Sequence, residues 1–131
     1  MNADERAIRR VVADWQKLTA NENVEGVLAL MADDAVFLVA GHPPMRGRAR
    51  FETNLRQVLN THRIESTADV QEVVVSGNLA YCWSVLSVRM TPRDGGGAGT
   101  LRAGSVLTIL RKRDDGDWVL SRDANLLAAS S

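Results

Sequence analysis

The sequence predicts an α+β fold: three N-terminal helices packed on one side of a long, strongly curved, mostly antiparallel sheet. Apolar residues recur at helical spacing through the first half of the chain and with period two through the second. The strand candidates of the second half follow one another through short turns, which requires antiparallel neighbours.

From Asp4 to Thr19, the residues Ile8, Val11, Val12, Trp15 and Leu18 form an i, i+3, i+4, i+7 stripe, with Asp4 and Glu5 well placed in the first turn. Asn23 is a good cap for a short second helix carrying Val24, Val27, Leu28 and Met31, which Asp33 and Asp34 are expected to end. Ala35 to Ala40 reads as a strand. Gly41 to Gly47, with Pro43 and Pro44, reads as a loop, because proline suits neither a helix interior nor a central strand. A third helix is expected over Arg48 to Leu59. Strands follow over Ser66 to Val75, Leu79 to Thr91, Leu101 to Arg113 and Asp117 to Leu127. Ser76-Gly77-Asn78 and Asp114-Asp115-Gly116 supply tight turns, and Pro92 to Gly99 a flexible loop. No internal repeat or linker interrupts residues 1–131, so one domain is expected.

Bulk composition excludes several classes. The chain is 45% hydrophobic and carries 16 basic and 16 acidic side chains, so it can bury a core without offering an electrostatic footprint to nucleic acid or an anionic membrane. No apolar run approaches the roughly 18 residues of a membrane span, and Met1-Asn2-Ala3-Asp4-Glu5 does not resemble a signal peptide. Cys82 is the only cysteine, which fits a reducing compartment and a cytoplasmic protein, and within an apolar strand it reads as a buried small hydrophobe. His42 and His62 have no carboxylate or thiol at ligand spacing, so no metal is expected. Gly95-Gly96-Gly97 does not open a helix, so no nucleotide or other cofactor is expected.

Specific residues carry a family likeness: Val24-Glu25-Gly26-Val27-Leu28-Ala29-Leu30-Met31-Ala32-Asp33-Asp34-Ala35-Val36, then Gly41 to Arg48. In the C-terminal part they are Leu107-Thr108-Ile109-Leu110-Arg111, Asp115-Gly116-Asp117-Trp118 and Arg122-Asp123-Ala124-Asn125. With the order of elements, these resemble the nuclear-transport-factor-2-like superfamily of cystatin-like, cone-shaped α+β barrels, and within it the SgcJ/EcaC-type, SnoaL-like bacterial proteins. The resemblance implies a homodimer packed through the sheet and a pocket between the helices and the concave face. It does not imply one chemistry. Where the superfamily's ketosteroid isomerases place a tyrosine, a basic aspartate and a protonated acid, this chain has Trp15, Val39 and about Leu107, which cannot move protons. The limonene-type epoxide hydrolase pattern needs two aspartates bridged by an arginine, and here Asp123 and Arg102 lack the second acid.

Alternation divides the strand after Ser76-Gly77-Asn78 into two sets. By analogy with the superfamily, Tyr81, Trp83, Val85, Ser87 and Arg89 are assigned to the concave face, and Cys82, Ser84, Leu86, Val88 and Met90 to the partner. On the last strand the same analogy turns Arg122, Ala124 and Leu126 inward, and Asp123 and Asn125 outward. The expected pocket wall is Trp15, Leu18, Phe37, Met45, Phe51, Tyr81, Trp83, Val85, Ser87, Arg122 and Ala124, with His42, Asp123 and Arg89 as proton-handling or anion-holding groups. Each has a plainer alternative: Trp15 as core, His42 as an exposed loop residue, Asp123 as the ion-pair partner of Arg122 or Arg89. Three functional readings follow: a cofactor-free acid–base enzyme (isomerase, cyclase or dehydratase-like) on a small hydrophobic or polyketide-like molecule, a carrier of a small hydrophobic or weakly anionic molecule, and a structural partner whose pocket is filled by Trp15, Phe37, Tyr81 and Trp83.

Overall fold

The structure, a computed structural model, describes residues 2–129. Helix α1 runs Ala3–Ala20, and the side chain of its cap Asn2 accepts a hydrogen bond from the Glu5 amide at 2.8 Å. Helix α2, Val24–Leu28, is capped in the same way by Asn23. Strand β1 covers Met31–Val39 and β2 Met45–Arg46, followed by α3 over Arg48–Thr61. Then come β3 (His62–Ser76), β4 (Leu79–Pro92), β5 (Thr100–Lys112), β6 (Trp118–Asn125) and β7 (Ala128–Ala129).

Two expectations about boundaries change. Asp33 and Asp34 do not end α2 but lie exposed within β1, where Asp33 pairs with Arg48, and Asp34 with Arg111 at 2.9 Å. The Pro-rich loop closes on a two-residue strand, because Met45 and Arg46 hydrogen-bond as an edge to Phe37 and Val36.

The strand order is β2-β1-β6-β5-β4-β3, with β7 also on β5. All pairs are antiparallel except β1 with β6, which are joined in parallel across the intervening helix and hairpins. Two apolar clusters tie the helices to the concave face. One gathers Val27, Met31, Phe37, Leu55, Leu59 and Leu120. The other sets Ile8 of α1 against Ala80, Cys82, Leu110 and Trp118. Cys82 is fully buried, and burial pushes its thiol pKa up, as a structural cysteine requires.

The end of the chain crosses closely over β5. At Gly104 a Cβ would lie 2.5 Å from the Leu126 carbonyl oxygen, so only glycine lets the chain after β6 cross this closely. Gly104→Ala should destabilise the fold by about 2 kcal/mol, since the obstacle is backbone and cannot swing aside. Thermal unfolding of the variant tests this, and an unchanged midpoint would refute it.

Candidate active site

Between the two clusters the cone encloses a cavity of about 240 Å³. Val11, Val12, Trp15 and Thr19 of α1 form its roof, and Leu86, Val88, Val106 and Leu110 its floor. An aromatic wall stands at one side: Phe37 and Phe51 stack with centroids 4.7 Å apart, and Trp15 meets Phe51 edge-on at 5.6 Å.

Among the described residues, Asp123 is the one titratable side chain lining this cavity. The Thr108 hydroxyl donates to its Oδ1 at 2.7 Å. Burial among apolar side chains pushes the carboxyl pKa up to about 6, against the Thr108 hydrogen bond, which favours the ionised form. Two residues on, Asn125 also lines the cavity, and its buried Oδ1 has no protein partner. The Thr19 hydroxyl, on a side chain only 8% exposed, is likewise unpartnered. Gln16 and Ser66 hydrogen-bond to each other on the same wall. A buried polar atom without a partner is costly, so these groups suit a ligand that brings its own.

How Asp123 reaches the cavity is a matter of one residue. Strict alternation from Leu120, which faces in, would send Arg122 and Ala124 inward. Instead the β5–β6 register passes from Leu110↔Leu120 to Ile109↔Arg122, so Ser121 is bulged out of the ladder. The bulge reverses the face, and Asp123, Asn125 and Leu127 line the cavity. The expected inward pair is therefore wrong: Arg122 is exposed and donates to the Asp34 and Ser121 carbonyls at 2.9 and 2.8 Å, and Ala124 lies off the cavity. No Arg122–Asp123 ion pair forms among the described residues.

The faces of β4 are also reversed. Ser84, Leu86 and Val88 line the cavity, whereas Tyr81, Trp83, Val85, Ser87 and Arg89 do not. Trp83 and Val85 are 40% and 42% exposed on the outer face beside Leu107 at 44%, and Glu72 there holds the Tyr81 phenol above its ordinary pKa. Arg89 is exposed and donates to the Ala98 carbonyl at 3.3 Å, far from any role beside Asp123. The clue lay in charge: the set containing Arg89 could not enter an apolar cone without a partner, while the set with Cys82 carried no charge at all.

Of the other expected residues, Trp15, Phe37 and Phe51 line the cavity. Leu18 packs on the core instead, and Met45 and the exposed His42 line a separate groove outside the aromatic wall. Ser84 and Asn125, assigned from the sequence to the opposite faces, line the cavity with Thr19 and Thr108, which nothing in the sequence singles out, since short polar residues carry no mark of burial. Among the described residues no three His, Cys, Asp or Glu side chains group as a metal site, and no helix is long and apolar enough to cross a membrane.

Residues 8–121 match the SnoaL-like domain. No curated protein matches the sequence. Among solved structures, a conserved protein of Planctomyces limnophilus is 37% identical, with 98% of each chain covered and a TM-score of 0.93. A ketosteroid isomerase-like protein of Erwinia carotovora atroseptica is 23% identical over 100% of this chain and 99% of its own, with a TM-score of 0.83. A hexachlorocyclohexane dehydrochlorinase, LinA type 2, is 17% identical over 98% of this chain and 90% of its own, with a TM-score of 0.80. The last two show the shared fold alone. By its sequence match and its cone of helices on a curved sheet, the chain belongs to the SnoaL-like domain family of the nuclear-transport-factor-2-like superfamily.

Proposed function

We propose that this protein is a cofactor-independent acid–base enzyme acting on a small, largely apolar molecule, with Asp123 as the proton-transferring group. The observation that carries this reading is a lone carboxyl in an apolar cavity with its pKa raised to about 6, close to neutral pH, where a base is most effective. Thr108 fixes one oxygen of the carboxylate and leaves the other for substrate. An ionised Asp123 takes a proton from a carbon made acidic by a neighbouring carbonyl. It then returns the proton to another carbon, which is isomerisation, or to a departing hydroxyl, which is dehydration. The unpartnered Thr19 hydroxyl can donate to a substrate oxygen, and the unpartnered Asn125 Oδ1 can accept from a substrate hydroxyl.

Size narrows the substrate. An engineered 150 Å³ apolar cavity holds benzene, so by proportion 240 Å³ has room for about ten non-hydrogen atoms, one or two rings. The structural-partner reading required a filled pocket, and this cavity is open. The carrier reading keeps one support: no cation lines the cavity to stabilise an oxyanion.

A thermal-shift screen of one- and two-ring ketones and hydroxy ketones tests the proposal. A ligand at 100 times its Kd should add about 2.7 kcal/mol of stability. Conversion of such a ligand supports the enzyme. Tight binding with the compound recovered unchanged supports the carrier and overturns catalysis.

The apolar outer face formed by Trp83, Val85 and Leu107 supports a homodimer packed sheet to sheet, with the opposite β4 set at the interface from the one first expected. Trp83→Glu should convert a dimer to a folded monomer of 14.3 kDa in sedimentation equilibrium. A wild-type protein already at that mass would refute the dimer. The reduced, buried Cys82 supports a cytoplasmic setting, and the Asp115-Gly116-Asp117-Trp118 hairpin supports the SgcJ/EcaC subgroup.

A further inference from the structure

Outside the aromatic wall lies a groove lined by Phe37, Val39, His42, Met45, Arg46, Arg50 and Asn54. Its charge is one-sided, with two arginines and no carboxylate on its walls. Outside the groove six cations, Arg48, Arg56, Arg93, Arg111, Lys112 and Arg113, are each tied to an acid, while Arg89, Arg102 and Arg122 are held by backbone carbonyls instead. Among the described residues, Arg46 and Arg50 have no such partner. Arg50 and Asn54 are spaced i, i+4 on the opening turns of α3, so they present one face to the groove.

The groove and the cavity share Phe37. In the sheet, Phe37 pairs with Asp123 on one side and with Met45 on the other. The groove edge therefore lies two strand spacings, ~10 Å, from the Asp123 backbone. The two sites also discriminate between opposite ends of a ligand. An anionic group entering the cavity would meet the Asp123 carboxylate with no cation to offset it, whereas the groove offers two unpartnered guanidinium groups suited to oxyanions.

We infer that the groove is an anion-binding subsite of the same active site, and that the substrate is a one- or two-ring molecule carrying a carboxylate or phosphate at the end remote from the carbon on which Asp123 acts. The part concerning Asp123 rests on the function proposed above; the subsite itself does not. The apolar end sits in the cavity, and Arg46 and Arg50 hold the charged end in the groove on the far side of Phe37. The cation that the sequence suggested in Arg89 is thus supplied from β2 and α3.

Calorimetric titration at pH 8 with phenylpropanoate, phenylpropanamide and phenethyl phosphate tests the inference without any need for turnover. At low salt at least one anion should bind about tenfold more tightly than the neutral amide, as expected for partly screened charge-assisted contacts. Preference for the carboxylate or for the phosphate identifies the natural group. In the Arg46→Gln/Arg50→Gln double variant the anion advantage should vanish while amide affinity stays the same, and Arg113→Gln, outside the groove, should leave the advantage intact. Equal binding of acid and amide by the wild type, an advantage that survives in the double variant, or no binding of all three overturns the subsite. If the anion preference stands while Asp123→Asn leaves turnover unchanged, the proposed chemistry fails and the subsite does not.

Discussion

Replacing Asp123 by asparagine should lower turnover by about 10³-fold and, at pH 8, make the protein more stable. The first effect follows from removing the one group in the cavity that can accept a proton, while the amide keeps its shape and can still accept the Thr108 hydrogen bond. The second follows from linkage. Folding raises the Asp123 pKa from 3.8 to about 6, so the fold prefers the protonated form. Below pH 4 the group is protonated whether folded or unfolded, and costs the fold nothing. Between pH 4 and 6 the unfolded chain releases the proton and the folded one keeps it, so stability falls as pH rises. Above pH 6 both forms are ionised and the full cost persists, about 3 kcal/mol for a shift of this size.

Asparagine has no such cost. Thermal unfolding across pH 4 to 8 should show a wild-type slope from this group that disappears in the variant, with a gain of about 2 kcal/mol at pH 8 after the amide's own burial is allowed for. In the wild type, kcat/KM should rise with pH to a plateau with a midpoint near 6, because only the ionised form is a base. A variant that is less stable at pH 8, or equally active, would rule out Asp123 as a buried catalytic base. Such an exchange of stability for chemistry is common at active sites.

Trp118→Ala should cost about 4 kcal/mol, a large share of the 5–15 kcal/mol that holds a domain of this kind together. The indole is 4% exposed and packs with Ile8, Cys82 and Leu110. Its Nε1–H also donates to Asp4 Oδ1 at 3.0 Å, and Lys112 reaches the same oxygen at 3.1 Å, so the first turn of α1 is latched to the sheet. These contacts hold the Asp4 carboxyl below its ordinary pKa, the Trp118 hydrogen bond first and Lys112 second. Trp118→Phe keeps most of the packing and loses the hydrogen bond, so its cost should be nearer 1 kcal/mol. Guanidinium unfolding of both variants separates packing from the latch; equal costs would refute the packing account. Because α1 also carries Val11, Val12 and Trp15 over the cavity, the alanine variant should bind ligand less tightly as well.

The linear pattern of the chain carries the secondary structure and the class of the fold, because both depend on local terms. Helical spacing from Ile8 to Leu18, the Asn23 cap of the second helix, and glycine or aspartate turns between alternating strands act within a few residues of themselves. The aromatic wall was legible for the same reason, since Trp15, Phe37 and Phe51 each sit on the apolar stripe of their own element. Which face of each strand looks inward was not. Period two defines two sets and leaves their assignment to packing, and here both faces of β4 are apolar, one around the cavity and one around Trp83. The bulge at Ser121 is likewise a property of how β6 fits between β1 and β5, and no single residue announces it. That one displaced residue decides whether Asp123 or Arg122 enters the cone. The sequence by itself thus determined the layers and the ring of apolar side chains, and only the tertiary structure decided that the cavity holds a carboxyl and that the cations stand outside it, because burial of charge is settled by the whole surrounding fold.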